Sequence, residues 1–537
     1  MLISIRSFKG TIPKLDARLL PEPYGQVAVN CRTDRGTLRP IKNFLSVNTP
    51  SKVGTKRTIF KYGLFWLHWL EDVDVVRGPI AGDTTDRLYW TGEGMPKVSD
   101  SSIITAGGGT NYPTNSYSLG IPVPSAMPNP VVVGASVDAT QAESRSYVYT
   151  YVSAWGEEGP PSPPSGIVAV EPSQSVDLSS LSVAPIGAYN IISKRIYRTA
   201  TGTTGTEYKY VGAVAVSSTT FSDTVATENL GESLPSVTWD APPKNMHNLH
   251  LHPSGFMVGI SGKDICFSVP YMPHAWPEAY RVPIDYTPVG LGIFGNSVLV
   301  LTDGRPYLIT GTDPEYMTKE HLEINQSCAS KRGICDIGDA IAYPSPDGLI
   351  VIGPGTAKNI TEDVFTREQW QAITPGNLIS AYHDGCYYGF SGSSGIVIDT
   401  REDGVKTLSS LTVAAAYEDK ITDTLYLMVG SNIVAWEGHS TEQYGTTTFR
   451  TKIFSMNSPV TSPSVGMVNT AGYPVTVKLY ADGVLKHTQS VVSAAPFRIP
   501  GGYYASEYEI EIVSAFEIYS PVLFATTMEE LRKATHP

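Results

Sequence analysis

Residues 255–268, GFMVGISGKDICFS, run as an apolar stretch, a Gly/Asp turn and a second apolar stretch, and the same phrase returns four more times downstream. The copies are NSVLVLTDGRPYLITG at 296–311, DAIAYPSPDGLIVIGPG at 339–355, DGCYYGFSGSSGIVID at 384–399 and DTLYLMVGSNIVAWEG at 423–438. Each copy has the composition of two short strands joined by turn residues. With Phe256, Ser297, Ala340, Gly385 and Thr424 as equivalent starts, the spacings are 41, 43, 45 and 39 residues. A unit of that length holds several strands and cannot cover its own apolar faces, so it must stack on its neighbours. That spacing predicts β-propeller blades.

Working outward, TIFKYGLFWLHWL at 58–70 together with DRLYWTGEG at 86–94 is expected to form a sixth copy. Residues 128–243 break the spacing. RSYVYTYVSAWGEEGPPSPPSG and KRIYRTATGTTGTEYKYVGAVAVSSTTFSDT alternate strands around a Pro-rich corner, the pattern of an inserted sandwich of fibronectin type III kind. Near the end, YPVTVKLYADGVLKHTQSVV carries an Asp482-Gly483 hairpin signal and EYEIEIVSAFEIYSPVLFA follows it, which predicts a small C-terminal β-sandwich. The expected fold is therefore all-β in four parts. Residues 1–127 hold N-terminal strands and the first part of the propeller, 128–243 the fibronectin type III-like insertion, 244–444 the remaining blades and 445–537 the sandwich. Two short helices are expected where Thr366 with Gln369, and Thr526 with Glu529, match the capping-box spacing.

Composition bounds the function. Of 537 residues, 41% are hydrophobic and 17% charged, with 49 Gly, 40 Pro and 30 Tyr, which excludes a disordered chain and fits many strands with tight turns. The net charge of −12 is the wrong sign for a protein that grips nucleic acid through phosphates, although an acidic wall would let DNA slide past. Five scattered cysteines, Cys31, Cys266, Cys328, Cys335 and Cys386, do not make a disulfide framework, and reduced thiols in a cytosol are expected. The start MLISIRSFKG has no export-signal pattern, and no run of about 18 apolar residues occurs, so no membrane insertion is expected.

The chemistry-bearing residue types do not assemble into a familiar motif. His247, His250 and His252 in HNLHLHP are the strongest metal candidates, yet only His250 and His252 are spaced to share a strand face and no third ligand follows at a known spacing. Cys328 and Cys335 are too far apart for a zinc knuckle. The SPDG segment at Ser345–Gly348 shares part of the Asp-box hairpin of sialidase propellers but lacks its later aromatic, and turn chemistry accounts for it. HAWPEAY at 274–280, with Trp276, Tyr280 and nearby Tyr271, offers either a sugar-stacking platform or a packed corner rigidified by Pro273 and Pro277. AGGGTNY at 106–112 lacks the Lys of a phosphate loop, and no Walker loop, nucleophile elbow or HExxH occurs. Carboxylates are too evenly scattered to nominate a hydrolytic pair. No catalytic, cofactor-binding or metal residue is assigned, and a non-enzyme without cofactor is expected.

The opening FKGTIPKLDARLLPEPYGQVAVNCRTDRGTLRP (8–40), the central GFMVGISGKDICFSVPYMPHAWPEAYRV (255–282) and CASKRGICDIGDAIAYPSPDGLIVIG (328–353), and the closing FRIPGGYYASEYEIEI (497–512) resemble tail nozzle, or tail tubular, proteins of short-tailed bacteriophages. The resemblance implies a virion structural protein assembled in the bacterial cytoplasm, a homohexameric ring at the distal end of the tail that takes part in genome retention and ejection. Its implied partners are tail adaptor or connector proteins and the double-stranded DNA that passes through the lumen without sequence-specific binding. The fibronectin-like insertion departs from a minimal nozzle and leaves open whether the chain also holds tail fibres or meets the host. The competing expectation, from another class, is a host-surface glycan-binding or depolymerase tail protein.

Overall fold

The computed structural model describes residues 1–537 apart from 186–188, 203–204, 403 and 536–537. It is all-β, with two short α-helices, Arg367–Ala372 and Met528–Thr535, among the described residues. Contacts divide the chain into two compact units. One is Met1–Leu70 with Leu301–Pro306 and Glu323–Pro537, the other Glu71–Val300 with Tyr307–Leu322.

The recurring element is the four-stranded antiparallel meander of a β-propeller blade. The strands Met257–Ser261, Ser297–Thr302, Ile341–Ser345, Cys386–Ser391 and Thr424–Val429 are the second strands of five such meanders, so the sequence repeat is in register with the architecture. Nearly all their residues are buried on both faces, which is why they appear as continuous apolar runs rather than as alternation. In the second unit the first strands Asp74–Arg77, His247–Leu251 and Pro288–Phe294 lie side by side. Their sheets stack face to face through Phe256, Val258, Ile265 and Phe267 against Leu291, Val298, Val300 and Ile309. In the first unit the first strands Cys335–Asp336, Ile379–His383, Val413–Asp419 and Thr58–Tyr62 do the same, around cores built on Trp370 and Tyr387, on Tyr388 and Trp436, and on Trp66 and Tyr426.

Two expectations are corrected here. Thr58–Tyr62 pairs with Phe65–Trp69 as its own hairpin, whereas Leu88–Thr91 is the second strand of a separate meander between Asp74–Arg77 and Lys97–Ser99, so the supposed sixth copy is two sheets. Both segments are apolar enough to sit mid-sheet, and only their pairing tells them apart. The N-terminal strands also do not simply lead into the propeller. Leu2–Ile5 pairs with Ile518–Ala525, and Gly25–Val29 pairs with Thr447–Thr451, so both chain ends build the C-terminal sandwich. Leu45–Asn48 then supplies the outer strand of the blade made by 413–435. The boundary at 445 therefore separates strands that share one core: Ile3, Ile5 and Phe8 pack with Val477, Ile510, Ile512 and Phe524.

The insertion is a sandwich. Asn129–Val133, Ser175–Ser179 and Phe221–Asp223 form one sheet, Tyr147–Ser153, Ile191–Gly202 and Gly205–Ala215 the other, and Tyr147, Tyr149, Tyr151, Val176, Leu178 and Ile196 fill the space between. At the Asp482-Gly483 turn both residues have positive φ, 49° and 76°, as a two-residue hairpin with right-twisted strands requires. The first capping box forms as expected, with Gln369 N–H donating to Thr366 Oγ1 at 3.3 Å and Thr366 N–H to Gln369 Oε1 at 2.9 Å. The second is shifted by one residue: Glu530, not Glu529, reaches back to Thr526, while Thr527 Oγ1 accepts from Glu530 N–H at 3.2 Å.

Candidate functional site

Within the first unit, a cavity of about 420 Å³ lies among the hairpin of Cys31–Arg32 with Arg39–Pro40, the blade of 379–409 and Trp436. Strand alternation builds its wall. Tyr388, Val397 and Lys406 stand directly opposite one another across three strands, and Cys386 stands opposite Asp399 in the next row. Asp384 and Gly385, with φ of 49° and 73°, make the tight turn that brings Asp384 to the rim. The Tyr388 and Trp436 rings meet edge to face at 5.4 Å.

Most charges in the cavity are already matched. Arg32 Nη1 donates to Asp384 Oδ2 at 2.6 Å and its other nitrogen meets Glu437. Arg401 grips both oxygens of Asp399 at 2.9 Å, and Arg39 both oxygens of Asp34 at 2.5 and 2.6 Å. Burial alone would raise the Asp399 carboxyl, but the Arg401 hydrogen bonds, with Lys406 contributing, hold it below the usual carboxylate range. Burial pushes the Cys31 thiol up to about 12 and Cys386 up to about 11, so neither is an activated nucleophile. Lys406, Thr33 and Trp436 are the exceptions. Lys406 makes no hydrogen bond or ion pair among the described residues, Thr33 Oγ1 is buried without a partner, and Trp436 Nε1 is buried without a well-formed hydrogen bond. The cavity can accept an acceptor-rich ligand; it does not pair a nucleophile with a base.

A second cluster holds ligand-type atoms. His383, Glu418 and Asp423 place one atom each within 4.8 Å of one another. His383 Nδ1 is buried without a hydrogen bond and lies 3.8 Å from Asp423 Oδ1. Burial holds the Glu418 carboxyl above its ordinary value against the pull of Lys420, which itself meets Asp336 at 2.8 Å. Asp423 is mostly exposed, so the set is open on one side. His383 and Glu418 come from the ends of the first strands of two adjacent blades and Asp423 from a turn, and no local spacing could have announced them.

The residues singled out from sequence are not brought together. His247 is exposed, His250 shares a 3.2 Å hydrogen bond with Asn248, and a register shift separates the two. His252 is buried, stacked on Phe256 at 4.1 Å, with its Nδ1 accepting from Ser254 N–H. All five cysteines are free thiols. The SPDG segment is a hairpin turn in which Ser345 Oγ donates to Gly348 O and Trp370 Nε1 donates to Ser345 O. Trp276 is a core residue beside Tyr89, Met246 and Leu249, and its indole N–H donates to Pro273 O, which makes HAWPEAY a packed corner. Ala106–Tyr112 is a string of turns at the surface.

No family model matches the chain, and no curated protein matches it. Among solved structures it is similar to BBS1N in complex with ARL6DN, at 10% identity and a TM-score of 0.30, covering 75% of this chain and 99% of that one. It is also similar to PorZ, a surface component of the type-IX secretion system of Porphyromonas gingivalis, at 11% identity and 0.31, covering 86% and 48%. The same holds for apo AztD from Citrobacter koseri, at 11% and 0.28, covering 67% and 99%. Likenesses this distant carry no functional argument.

Proposed function

We propose that this chain is a non-enzymatic structural subunit of a bacteriophage tail, a nozzle ring that extends the DNA conduit and takes part in genome retention and ejection. The observation that carries this is the similarity of the opening, central and closing segments, 8–40, 255–282, 328–353 and 497–512, to tail nozzle proteins. The architecture is compatible with a mechanical role. One ten-stranded sheet runs from the blade of 379–409 through Gly25–Val29 into the sandwich, so that blade and sandwich share a hydrogen-bonded plate. Its far edge, Val484–Val491, has no outer strand among the described residues and exposes Val484 and Leu485, an edge that a second copy would cover. The net charge of −12 suits a wall past which DNA slides.

Electron microscopy of the purified full chain, with its mass in solution, tests the proposal. A six-fold ring with an open centre of at least about 20 Å, wide enough for a duplex and its grooves, is expected. A monomer, or a trimer that binds glycans, would replace it with the glycan-binding alternative.

A further inference from the structure

We infer that the cavity beneath the Cys31–Arg32 hairpin is a binding site for a small oxyanion, a carboxylate- or phosphate-bearing molecule, whose charged oxygens are taken by Lys406 Nζ. The volume of about 420 Å³ lies in the range of small-molecule pockets.

Lys406 is 7% exposed and follows Val405, which faces another core, in a strand whose next position on the Lys406 side is the buried Leu408. The pattern calls for an apolar residue there, and an ammonium stands in its place. Lys406 lines the cavity, where a cation is ordinarily matched by a carboxylate, by a set of carbonyls or by whatever fills the space. The neighbouring cations obey that rule: Arg32 has Asp384 and Glu437, and Arg401 has Asp399. Asp399 is the carboxylate whose ionisation Lys406 favours, yet both its oxygens already accept from Arg401. Lys406 makes no hydrogen bond or ion pair among the described residues, which leaves its ammonium to meet an anion held in the cavity.

Two further donors line the same space. Thr33 Oγ1 and Trp436 Nε1 are buried, 3% and 5% exposed as residues; the hydroxyl has no hydrogen-bond partner, and the indole N–H lies towards the Tyr388 side chain without a well-formed hydrogen bond. An ammonium, a hydroxyl and an indole N–H, with the Tyr388 ring as a flat wall, suit a ligand that presents several oxygens, at least one of them charged. Carboxylate and phosphate share that chemistry. The site needs no second copy of the chain, so it stands or falls apart from the ring proposal.

The test titrates the full chain with inorganic phosphate, glucose 6-phosphate and glucuronate, with uncharged glucose as control, reading tryptophan fluorescence and heat. Saturable binding of at least one anion at one per chain, and none of glucose, is expected. A stronger response to the phosphates or to glucuronate tells which oxyanion the site prefers. Lys406→Met, which keeps the length of the side chain, should weaken the anion at least about tenfold, the loss of one charge-assisted hydrogen bond, without lowering the unfolding midpoint. Trp436→Phe should weaken it about threefold through the lost N–H and serves as the second probe if the lysine variant does not fold. No binding of any anion by the unaltered chain at several times about 1 mM, equal binding of glucose, or an unchanged affinity in both variants would overturn the assignment.

Discussion

Replacing Asp223 by alanine should destabilise the inserted sandwich while leaving the blades intact. Asp223 sits on the Phe221–Asp223 strand of one sheet, 0% exposed, and Arg198 on the Ile191–Gly202 strand of the other, 1% exposed, with Nη1 and Oδ2 2.6 Å apart. Tyr147 from the second sheet adds an O–H to the same oxygen at 2.8 Å, and Val225 N–H reaches Oδ1 at 3.0 Å. The carboxylate is thus the electrostatic tie between the sheets. Without it Arg198 keeps, among the described residues, hydrogen bonds to Val225 O and Thr227 Oγ1 and the more distant charge of Glu143, and Tyr147 loses its acceptor. Stranding one partner of a buried pair costs about 3–5 kcal/mol. A domain of this size is stable by about 5–15 kcal/mol, so the loss takes a large share and should lower its midpoint by about 10–20 °C. Amide exchange of the full chain reads this locally. Peptides from Tyr147–Ser153 and Ile191–Gly202 should lose roughly 150- to 5000-fold protection, whereas Met257–Ser261 stays unchanged. The paired substitution Arg198→Met with Asp223→Leu removes both charges and should return to within about 2 kcal/mol of the parent. Exchange within about threefold of the parent in Asp223→Ala, or a double variant as damaged as the single, would show that the pair does not hold the sheets together.

Residues 126–240 expressed alone should fold cooperatively by circular dichroism, because the Tyr147, Tyr149, Val176 and Ile196 core is drawn from the insertion apart from Ile121; a disordered product would refute this. Lys194 is buried with Ser218 O as its hydrogen-bond acceptor, and burial pushes its pKa down to about 8. Its contribution is complete above the ordinary 10.5 and lost as pH falls through 8, so Lys194→Met should stabilise the protein by about 1–3 kcal/mol at pH 7, a gain that shrinks between pH 8 and 10.5 in denaturant titrations. Burial holds the Glu157 carboxyl up at about 7, and burial with Arg87 pushes His274 down to about 4. The Glu157 contribution is complete below 4.5 and lost as pH rises through 7; that of His274 is complete above 6.5 and lost as pH falls through 4. The opposed slopes offset each other between pH 4.5 and 6.5, so Glu157→Gln should uncover a loss of up to about 1.4 kcal/mol per pH unit on acidification across that window, and a flat profile would count against the pairing. A strong chelator should leave the unfolding midpoint unchanged, because the charge of Lys420 acts on Glu418 and Asp423 is exposed; a clear drop that His383→Ala abolishes would make that cluster a metal site.

The blades were legible because the inner strands of each come from residues within about 45 positions of one another, and burial on both faces writes itself as unbroken apolar runs at a fixed spacing. Turn chemistry was equally local: Asp482-Gly483 and the Thr366–Gln369 box form where their side chains and φ preferences dictate. What local pattern cannot carry is which distant strand completes a sheet. Leu45–Asn48 closes a blade against Asn432–Ala435, and Leu2–Ile5 joins Ile518–Ala525, because an open sheet edge is satisfied by whichever strand the folded chain brings to it. The cavity belongs to the same class of fact. Thr33, Lys406 and Trp436 have ordinary neighbours in sequence, and each acquires an unmatched donor only when a hairpin from one end of the chain and two blades from the other enclose them. Enclosure, which sets a lysine among strands against a cavity, is a property of the three-dimensional fold and has no period along the chain.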